Sequence, residues 1–211
     1  MNPRHQSDTE QVGSSSHDPA RAAIGSWRIS ERSRIGFRIR GATRTVEGSF
    51  GYFGGRILNR PRTEPSVSGW VEVASIVTGN KERDAHLRSA EFFDVANHPR
   101  ITLTLGKLLA DGKSLVVSGV LTIKGVSRDV SLTGYVLPAD RGEPGAIRMA
   151  LEARVDRHAY GVRAPPGIEM FGLLIGRYVQ IKLQILAEAE EDPNREAKRE
   201  IAALLHASAP S

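Results

Sequence analysis

Hydrophobic and polar residues alternate along most of the chain between Ile24 and Leu186. In one such run, Ile35, Phe37 and Ile39 are separated by glycine and arginine. Successive side chains of a strand point to opposite faces of a sheet, so each run has one apolar face and one polar face. One dry face and one wet face are typical of antiparallel sheets. The pattern therefore predicts about eight antiparallel strands, joined by turns rich in Gly and Pro.

A single internal segment, residues 80–89, departs from this alternation and suits a short helix. Asn80 is a residue type that caps helices, because its side-chain oxygen accepts a hydrogen bond from the first turn. Pro99 then ends the loop that follows, because proline interrupts regular backbone hydrogen bonding. We therefore expect an all-β fold that contains a short internal helix.

A sheet of about eight antiparallel strands must either close on itself or protect its edges. A closed barrel removes the edges, and at this number of strands it leaves room for one small ligand. A sandwich of two sheets produces the same alternation along each strand. The pattern alone leaves both architectures open.

The composition excludes several classes of site. The chain has 211 residues and no cysteine. This length is sufficient for one domain with a hydrophobic core. The absence of cysteine excludes a disulfide scaffold, thiol catalysis and Cys-ligated metal sites. No apolar run reaches the roughly 18 residues that a membrane-spanning helix requires.

The distribution of charge suggests possible partners. The net charge is +5; residues 1–23 carry −1 and residues 187–211 carry −3, so the body between them carries +9. Its basic residues are dispersed and lack the dense block or aromatic motif of a nucleic-acid-binding domain. We therefore predict no nucleic-acid partner and a solvated basic surface. Transient contact with an anionic membrane surface is the main alternative role for this charge.

The ends differ from the body, which we assign to residues 24–186. Residues 1–23 are polar and Ser-rich, and they lack the apolar region of a secretory signal. We expect them to form a disordered tail, and we expect a cytoplasmic protein. Residues 187–211 form an acidic tail in which we predict a short helix, a frayed tail being the alternative. The apolar residues of that helix, at the spacing i, i+3, i+4, are Ile201, Leu204 and Leu205.

Enzymatic motifs are missing. The sequence has no G-x-S-x-G elbow, no Walker loop and no dinucleotide fingerprint. No two histidines have the spacing of a metal site such as H-x₃-H. The histidines are His5, His17, His86, His98, His158 and His206. We therefore predict no catalytic residues, no metal site and no enzymatic activity.

Several ordered motifs resemble those of the YceI-like family. SIVTGNKERDAHLRSAEFFD, residues 75–94, is similar to the central motif of the family, and NHPRITL, residues 97–103, is similar to the strand that follows it. GVLTIKGVSRDV, residues 119–130, resembles the family's G-x-L-T-I-x-G-V-T-R-x-V strand pair. RHAYGV, residues 157–162, stands where R-x-D-F-G is usual, and Trp27 opens the domain as it does in the family.

The resemblance implies a lipocalin-like, eight-stranded antiparallel β-barrel that binds an isoprenoid chain in its lumen. Family members are associated with polyprenyl lipids or quinones, and many are periplasmic. The resemblance thus implies a bound polyisoprenoid or isoprenoid quinone as ligand and no other cofactor. The sequence departs from the family where Arg40 and Gly41 replace a frequent His, and where Ala159 and Tyr160 replace Asp and Phe. We expect these changes to alter the preference for the ligand headgroup.

The inward apolar rows supply the predicted lining of the lumen, although such rows also form the core of any barrel without a ligand. The predicted lining residues are Ile35, Phe37, Ile39, Phe50, Val71, Val73, Phe92, Phe93, Ile101, Leu103, Leu121, Ile123, Met149, Leu151, Ile181 and Leu183. Glycines among these strands either widen the lumen or mark bends. They are Gly36, Gly48, Gly51, Gly54 and Gly55.

Polar residues near the predicted helix are candidates for contact with a ligand headgroup. We select Arg83 and His86, from the densest polar cluster of the body. A structural role that ties the helix to the barrel is the alternative for this cluster. Arg128 and Arg157 either anchor strand ends or face an anion.

The function predicted from these observations is non-enzymatic binding or carriage of a long-chain isoprenoid lipid or quinone in the barrel lumen. The alternative is a stress-related protein-interaction barrel whose lumen is filled by side chains and holds no lipid. Whether the chain forms a homodimer is left open.

Overall fold

The computed structural model of the protein describes residues 25–41, 44–138, 145–163 and 175–190. The predicted N-terminal tail and the predicted C-terminal helix lie outside these residues.

Strands dominate the described part of the chain. They are β1 (Gly25–Ile29), β2 (Arg34–Gly41), β3 (Thr45–Phe50), β4 (Phe53–Asn59), β5 (Ser66–Glu72), β6 (Ile76–Val77), β7 (Arg100–Asp111), β8 (Ser114–Ile123), β9 (Val126–Leu137), β10 (Ile147–Asp156) and β11 (Ile175–Ala189). Helix α1 spans Lys81–Arg88, and short 3₁₀ turns span Val73–Ser75 and Arg157–Tyr160. The last strand thus continues to Ala189, into the segment that we assigned to the acidic tail.

The strands form a closed antiparallel barrel. Eight of them make a ring in the order β1–β4–β5–β7–β8–β9–β10–β11, and β11 pairs again with β1. Trp27 of β1 lies opposite Ala189 of β11 at this closure. β2, β3 and β6 extend the wall at one end through pairings with β11 and with each other. The predicted eight-stranded barrel is confirmed, because each strand of the ring is hydrogen-bonded to both of its neighbours and no second sheet exists among the described residues.

A bend between β1 and β2 lets both strands pair with β11. The Ser30 backbone N–H donates to the Leu186 carbonyl at 2.8 Å, and the Ser33 hydroxyl donates to the same carbonyl at 3.1 Å. The Leu186 N–H in turn donates to the Ser33 hydroxyl oxygen at 3.0 Å. Both serines are buried. The bend therefore leaves these buried polar groups satisfied, which a buried backbone requires.

Helix α1 covers one end of the barrel, which we call the helix end. The Asn80 side chain caps it as predicted, accepting a hydrogen bond from the Arg83 backbone N–H at 2.9 Å. Leu87 of the helix packs with Ile76, Phe92 and Tyr160 in a buried cluster. This cluster forms the apolar packing between the helix and the barrel.

A second buried cluster fills the opposite end, which we call the Trp27 end. Trp27 packs there with residues that include Ile57, Leu115 and Ala187. The Trp27 indole N–H donates to the Gly145 carbonyl at 3.0 Å, so its polar atom is satisfied. The two clusters lie toward opposite ends of the barrel, and the partly buried residues Leu103, Val130 and Ile181 between them pack against both.

An irregularity in β7 changes which residues face the lumen. The register with β8 shifts between Leu105 and Lys107, where the extra residue forms a β-bulge. Leu105 lies in the core before the bulge, whereas Leu109 beyond it is 57% exposed. A bulge of one residue reverses the inward and outward alternation, because side chains along a strand have a period of two.

Candidate ligand-binding cavity

A cavity occupies the lumen between the two end clusters. About 210 Å³ of it is open to the centre of a water molecule. Residues of both clusters contribute to its wall, including Leu183 from the Trp27 end and Phe92 from the helix end. Its lining is mostly aliphatic and aromatic, and its only charged lining residues among those described are Arg83 and Arg157. The cavity thus has apolar walls and carries its charge at the helix end.

The structure brings the predicted lumen residues together in this wall, with the exception of Val73. The members that line it are Ile35, Phe37, Ile39, Phe50, Val71, Phe92, Phe93, Ile101, Leu103, Leu121, Ile123, Met149, Leu151, Ile181 and Leu183. They converge because each barrel strand presents alternate residues to the interior. Their contact with a ligand stays a prediction.

Val73 lies outside the cavity wall. The alternation of Val71 and Val73 suggested one continuous strand, but β5 ends at Glu72 and the chain turns into the 3₁₀ segment. The Val73 N–H donates to the Pro99 carbonyl at 2.9 Å, and its side chain is only 1% exposed. Val73 is therefore a core residue beside the barrel wall.

Several cavity residues were missed by the sequence analysis. Most belong to the inward rows already identified, so continuing those rows would have included them. This is true of Val179 and Ile185, which flank Ile181 and Leu183 on β11. The missed apolar lining residues are Ile29, Val46, Val67, Trp70, Leu87, Val130, Leu132, Ala153, Val155, Val162, Val179 and Ile185.

The glycines have different roles. Gly48 faces the lumen, where a Cβ atom would lie 2.3 Å from Cζ of Phe37, so its lack of a side chain accommodates an aromatic ring. Gly54 contacts Trp70 instead, and a Cβ there would lie 2.9 Å from Cζ2 of that indole. Arg100 covers the Trp70 ring, with Cζ 4.3 Å from the ring centroid. Gly48 therefore makes room for a ring in the lumen, and Gly54 makes room for an indole.

Arg83 is held at the cavity by Thr78. The Arg83 Nε–H donates to Thr78 Oγ1 at 2.8 Å, and Nη2 donates to the Thr78 carbonyl at 2.8 Å. Thr78 is held in turn by Asp84, whose carboxylate accepts hydrogen bonds from the Thr78 backbone N–H and hydroxyl. A guanidinium has five N–H donors. Those not used by Thr78 have no partner among the described residues, so Arg83 retains hydrogen bonds for a ligand.

Arg157 is the second cation of the cavity. Its Nε–H donates to the Gly176 carbonyl at 2.9 Å, and Nη1 donates to the Val162 carbonyl at 2.8 Å. Burial lowers the pKa of the Arg157 guanidinium, because removing the cation from water disfavours its charged form. Arg157 therefore combines an anchoring role with a place in the cavity wall. Arg128 anchors only, donating from Nε to the Ala159 carbonyl at 2.7 Å.

His86 does not reach the cavity wall. Its ring lies 6.2 Å from the ring of Phe92, centroid to centroid. Its buried Nε2 has no hydrogen-bond partner in the described part of the chain, and the nearest carboxylate, that of Glu91, is 3.9 Å away. Of the headgroup candidates on the helix, the structure therefore brings only Arg83 to the cavity.

A family model for the YceI-like domain matches residues 27–187, which include the whole barrel ring except the strand ends. The chain belongs to the YceI-like family.

Two curated relatives illustrate this membership. This YceI-like chain is 30% identical over 127 residues to the UPF0312 protein plu2095 of Photorhabdus laumondii, an alignment that covers 56% of this chain and 64% of that protein. It is 35% identical over 83 residues to the protein YceI of Escherichia coli O157:H7, covering 39% of this chain and 44% of the relative. The matched region thus spans less than two thirds of either relative.

Solved structures share the fold. BcnA of Burkholderia cenocepacia superposes with a TM-score of 0.66 at 21% identity, covering 75% of this chain and 98% of BcnA. A domain from Saccharophagus degradans, described as polyisoprenoid-binding and implicated in plant cell wall breakdown, superposes with a TM-score of 0.61 at 17% identity. The superposition covers 80% of this chain and 100% of that domain. At these identities the likeness establishes the architecture of this YceI-like barrel.

The departures from the family motifs lie at the helix end. Arg40 is exposed on the outside of the barrel, directly after the lumen residue Ile39. Tyr160 is buried in the cluster of the helix end, and burial raises the pKa of its hydroxyl. Tyr160 thus belongs to the buried packing at the helix end of the YceI-like barrel, and Arg40 does not line the lumen.

The described ranges contain no group of three or more His, Cys, Asp or Glu residues arranged to hold a metal ion. No helix within them is long and apolar enough to cross a membrane.

Proposed function

We propose that this YceI-like barrel binds a long-chain isoprenoid lipid or quinone in its lumen and acts as a carrier without enzymatic activity. The observation that carries the proposal is the cavity itself, which has apolar walls along the lumen and charged side chains only at the helix end, among the residues described. The name of the Saccharophagus degradans domain, a structural neighbour called polyisoprenoid-binding, supports the same class of ligand.

The walls suit a flexible branched hydrocarbon. Aromatic rings of Phe37 and Phe50, 5.8 Å apart, and of Phe92 and Phe93, 5.5 Å apart, stand among aliphatic side chains. Burying an apolar chain from water contributes about 0.8 kcal/mol per CH₂ group. The open space also weighs against the alternative of a protein-interaction barrel with a filled lumen, since side chains fill the two ends and leave the middle free.

In this proposal, the headgroup of the ligand binds at Arg83. Carbonyl, hydroxyl and phosphate oxygens accept hydrogen bonds from a guanidinium, and such charge-assisted bonds are stronger than neutral ones. Thr78 and Asp84 hold the Arg83 side chain in place before a ligand arrives. Pre-organisation of this kind lowers the entropy lost on binding.

The free energy of transfer between bilayer and lumen favours carriage of the isoprenoid over its permanent sequestration. An isoprenoid in the cell resides in a bilayer, whose interior is as dry as the lumen. Transfer from bilayer to barrel therefore gains little from the hydrophobic effect, which depends on removing apolar surface from water. Shape and headgroup contacts must set the preference, and the ligand remains exchangeable.

Extraction of the native protein tests the ligand directly. The protein purified from its own host is analysed by native mass spectrometry and by extraction into organic solvent. We expect a co-purifying prenyl lipid or quinone. Repeated recovery of ligand-free protein, together with no uptake of prenyl quinones in a fluorescence-quenching assay, would overturn the proposal.

Variants of the wall test the site. Phe37→Arg and Leu103→Arg place a charge in the cavity and should abolish uptake, because an unpaired cation is costly in an apolar lumen. Ile181→Trp fills the same space without burying a charge. Loss of uptake in a folded Ile181→Trp variant would therefore reflect a blocked cavity and not a loss of folding. Thr104→Arg, on the exposed face of the same strand as Leu103, is the matched control and should bind normally. Equal uptake by folded wall variants would show that the lumen is not the site.

A further inference from the structure

The outside of the barrel carries a basic face on β2, β10 and β11. Its basic residues alternate with lumen residues along each strand, and all are exposed. We call this surface the arginine face; its members are Arg34, Arg38, Arg40, Arg154 and Lys182. Register places Arg38 and Arg154 on either side of Gln180, the residue of β11 that pairs with both. Cations from strands far apart in sequence therefore share one surface.

Acidic residues neutralise only part of this charge. Glu47 pairs with Arg38, whose Nε lies 3.1 Å from Oε1, and Glu152 lies 3.9 Å from Nζ of Lys182. Arg40 and Arg154 have no carboxylate partner among the described residues. The face therefore retains an excess of positive charge that is free to meet an external anion.

The unpaired cations border a groove on the barrel exterior. About 650 Å³ of this groove is open to the centre of a water molecule. Its walls include Arg38, Arg40, Arg154 and Tyr178. One carboxylate, that of Glu152, also lines the groove and accepts a hydrogen bond from the Gln180 amide at 2.8 Å, so three arginines outnumber it there. Guanidinium groups bind phosphate oxygens through paired N–H donors. The groove thus has the size and the donors to receive phosphate-bearing headgroups.

Tyr178 adds an amphipathic ring to the groove. It is 45% exposed, and Cζ of Arg154 lies over its ring at 4.0 Å from the centroid. Tyrosine is enriched at the level of lipid headgroups, where its apolar ring and polar hydroxyl are both accommodated. Single-stranded nucleic acid would instead need ring faces on which bases stack. Because Arg154 already covers one face of Tyr178, the arrangement favours a lipid surface over nucleic acid.

From these features we infer that the arginine face is a docking surface for anionic phospholipid membranes. Each basic residue near such a surface adds to the attraction, and the aromatic ring enters the headgroup layer. The inference does not depend on the proposed lumen ligand. The two are nevertheless compatible, because β2 separates the groove from the cavity: Arg38 and Arg40 face outward, and Phe37 and Ile39 face the lumen.

Co-sedimentation with vesicles tests the docking surface. The full chain is mixed with vesicles of phosphatidylcholine alone or with added phosphatidylglycerol, at low and high salt. We expect binding only to the anionic vesicles, and weaker binding at high salt because mobile ions screen the attraction. Removing two contributing charges in the double variant Arg40→Gln, Arg154→Gln should weaken binding by about 25-fold. The double variant Lys107→Gln, Lys113→Gln removes the same charge elsewhere and should change it less than about twofold.

Each outcome bears on the inference. Equal losses in the two double variants, or unchanged binding in both, would overturn it, since charge on the arginine face would then have no special role. Tighter binding of single-stranded DNA than of anionic vesicles, lost in the Arg40→Gln, Arg154→Gln variant, would overturn it in favour of a nucleic-acid surface. Failure of the lumen proposal is measured separately: Phe37→Arg should lose quinone uptake and retain vesicle binding, whereas Arg40→Gln, Arg154→Gln should retain uptake from detergent solution.

Discussion

The ring of Phe37 occupies the space beside Gly48 that a side chain on residue 48 would fill. The two residues are cross-strand partners on β2 and β3. A Cβ atom on residue 48 would lie 2.3 Å from Cζ and 2.7 Å from Cε1 of the ring, and 3.0 Å from Cγ2 of Thr78. Real carbon atoms do not approach so closely. The shape of the lumen at this point therefore depends on the missing side chain of one residue and the large side chain of the other.

Gly48→Ala should destabilise the barrel by about 1–3 kcal/mol, because the added methyl forces the Phe37 ring out of its position. Urea denaturation measures the change. Phe37→Leu in the Gly48→Ala background should recover part of the loss, since the smaller side chain removes the clash. An unchanged unfolding midpoint in Gly48→Ala would contradict the packing described for the lumen.

Gly134→Ala should be more damaging than Gly48→Ala. A Cβ atom on residue 134 would lie 1.9 Å from the carbonyl oxygen of Ala150 on the neighbouring strand, and backbone cannot move aside as a side chain can. We expect a loss of at least about 3 kcal/mol or failure to fold. Gly106→Ala is the matched control, because its Cβ would meet nothing within 4 Å. Equal stability of the Gly134→Ala and Gly106→Ala variants would refute this account of the β9–β10 contact.

Arg83→Gln should weaken binding of a prenyl quinone by about tenfold, because a hydrogen bond from a charged donor is lost. Binding of a hydrocarbon of matched length without a headgroup should not change. Arg88→Gln on the same helix is the control, since Arg88 donates to the Ala74 carbonyl at 3.1 Å and does not line the cavity. Quenching titrations compare the two ligands. Equal losses for both ligands would point to a structural role of Arg83.

The Asp156–Arg177 pair should make stability depend on pH. Arg177 donates to the Asp156 carboxylate from Nε at 2.9 Å and from Nη2 at 2.7 Å, and these hydrogen bonds lower the pKa of Asp156. Such a carboxyl stabilises the fold above its unfolded pKa, about 3.9, and this contribution is lost as the pH falls through its folded pKa. Asp156→Asn should therefore lower the Tm near neutral pH but not in strong acid.

Thermal unfolding of the wild type and Asp156→Asn across the acid range measures this difference. Asp129→Asn, a change on an exposed residue of β9, controls for the loss of a surface carboxylate. A Tm difference between wild type and Asp156→Asn that stayed constant with pH would refute the role of ionisation.

Much of the fold follows from local pattern. The alternation around Phe37, Leu103 and Ile181 predicted strands and their inward faces, because side-chain direction in a strand depends only on position. Asn80 predicted the start of the helix for a similarly local reason. Where a local feature interrupts the alternation without a signal of its own, the prediction failed, as it did at Val73, which the 3₁₀ turn removes from the strand.

Which of the candidate residues form the site depends on which of them lie close together in the folded protein, and the sequence does not show this. Arg83 and His86 lie on the same short helix and were indistinguishable in sequence, yet only Arg83 reaches the cavity. Which side of a helix meets the lumen is decided by how the helix packs on the barrel end, and that packing is set by residues remote in the chain. The same is true of the arginine face, whose members come from both ends of the chain.

The sequence by itself determined that the protein is built of amphipathic strands with apolar inward rows, because a period of two is a property of the strand alone. Only the tertiary structure decided that the strands close, with Trp27 opposite Ala189, that the lumen keeps an open middle, and that a bulge turns Leu109 outward. Closure, cavity volume and register are set by contacts between residues far apart in the chain, which alternation within a single strand does not encode.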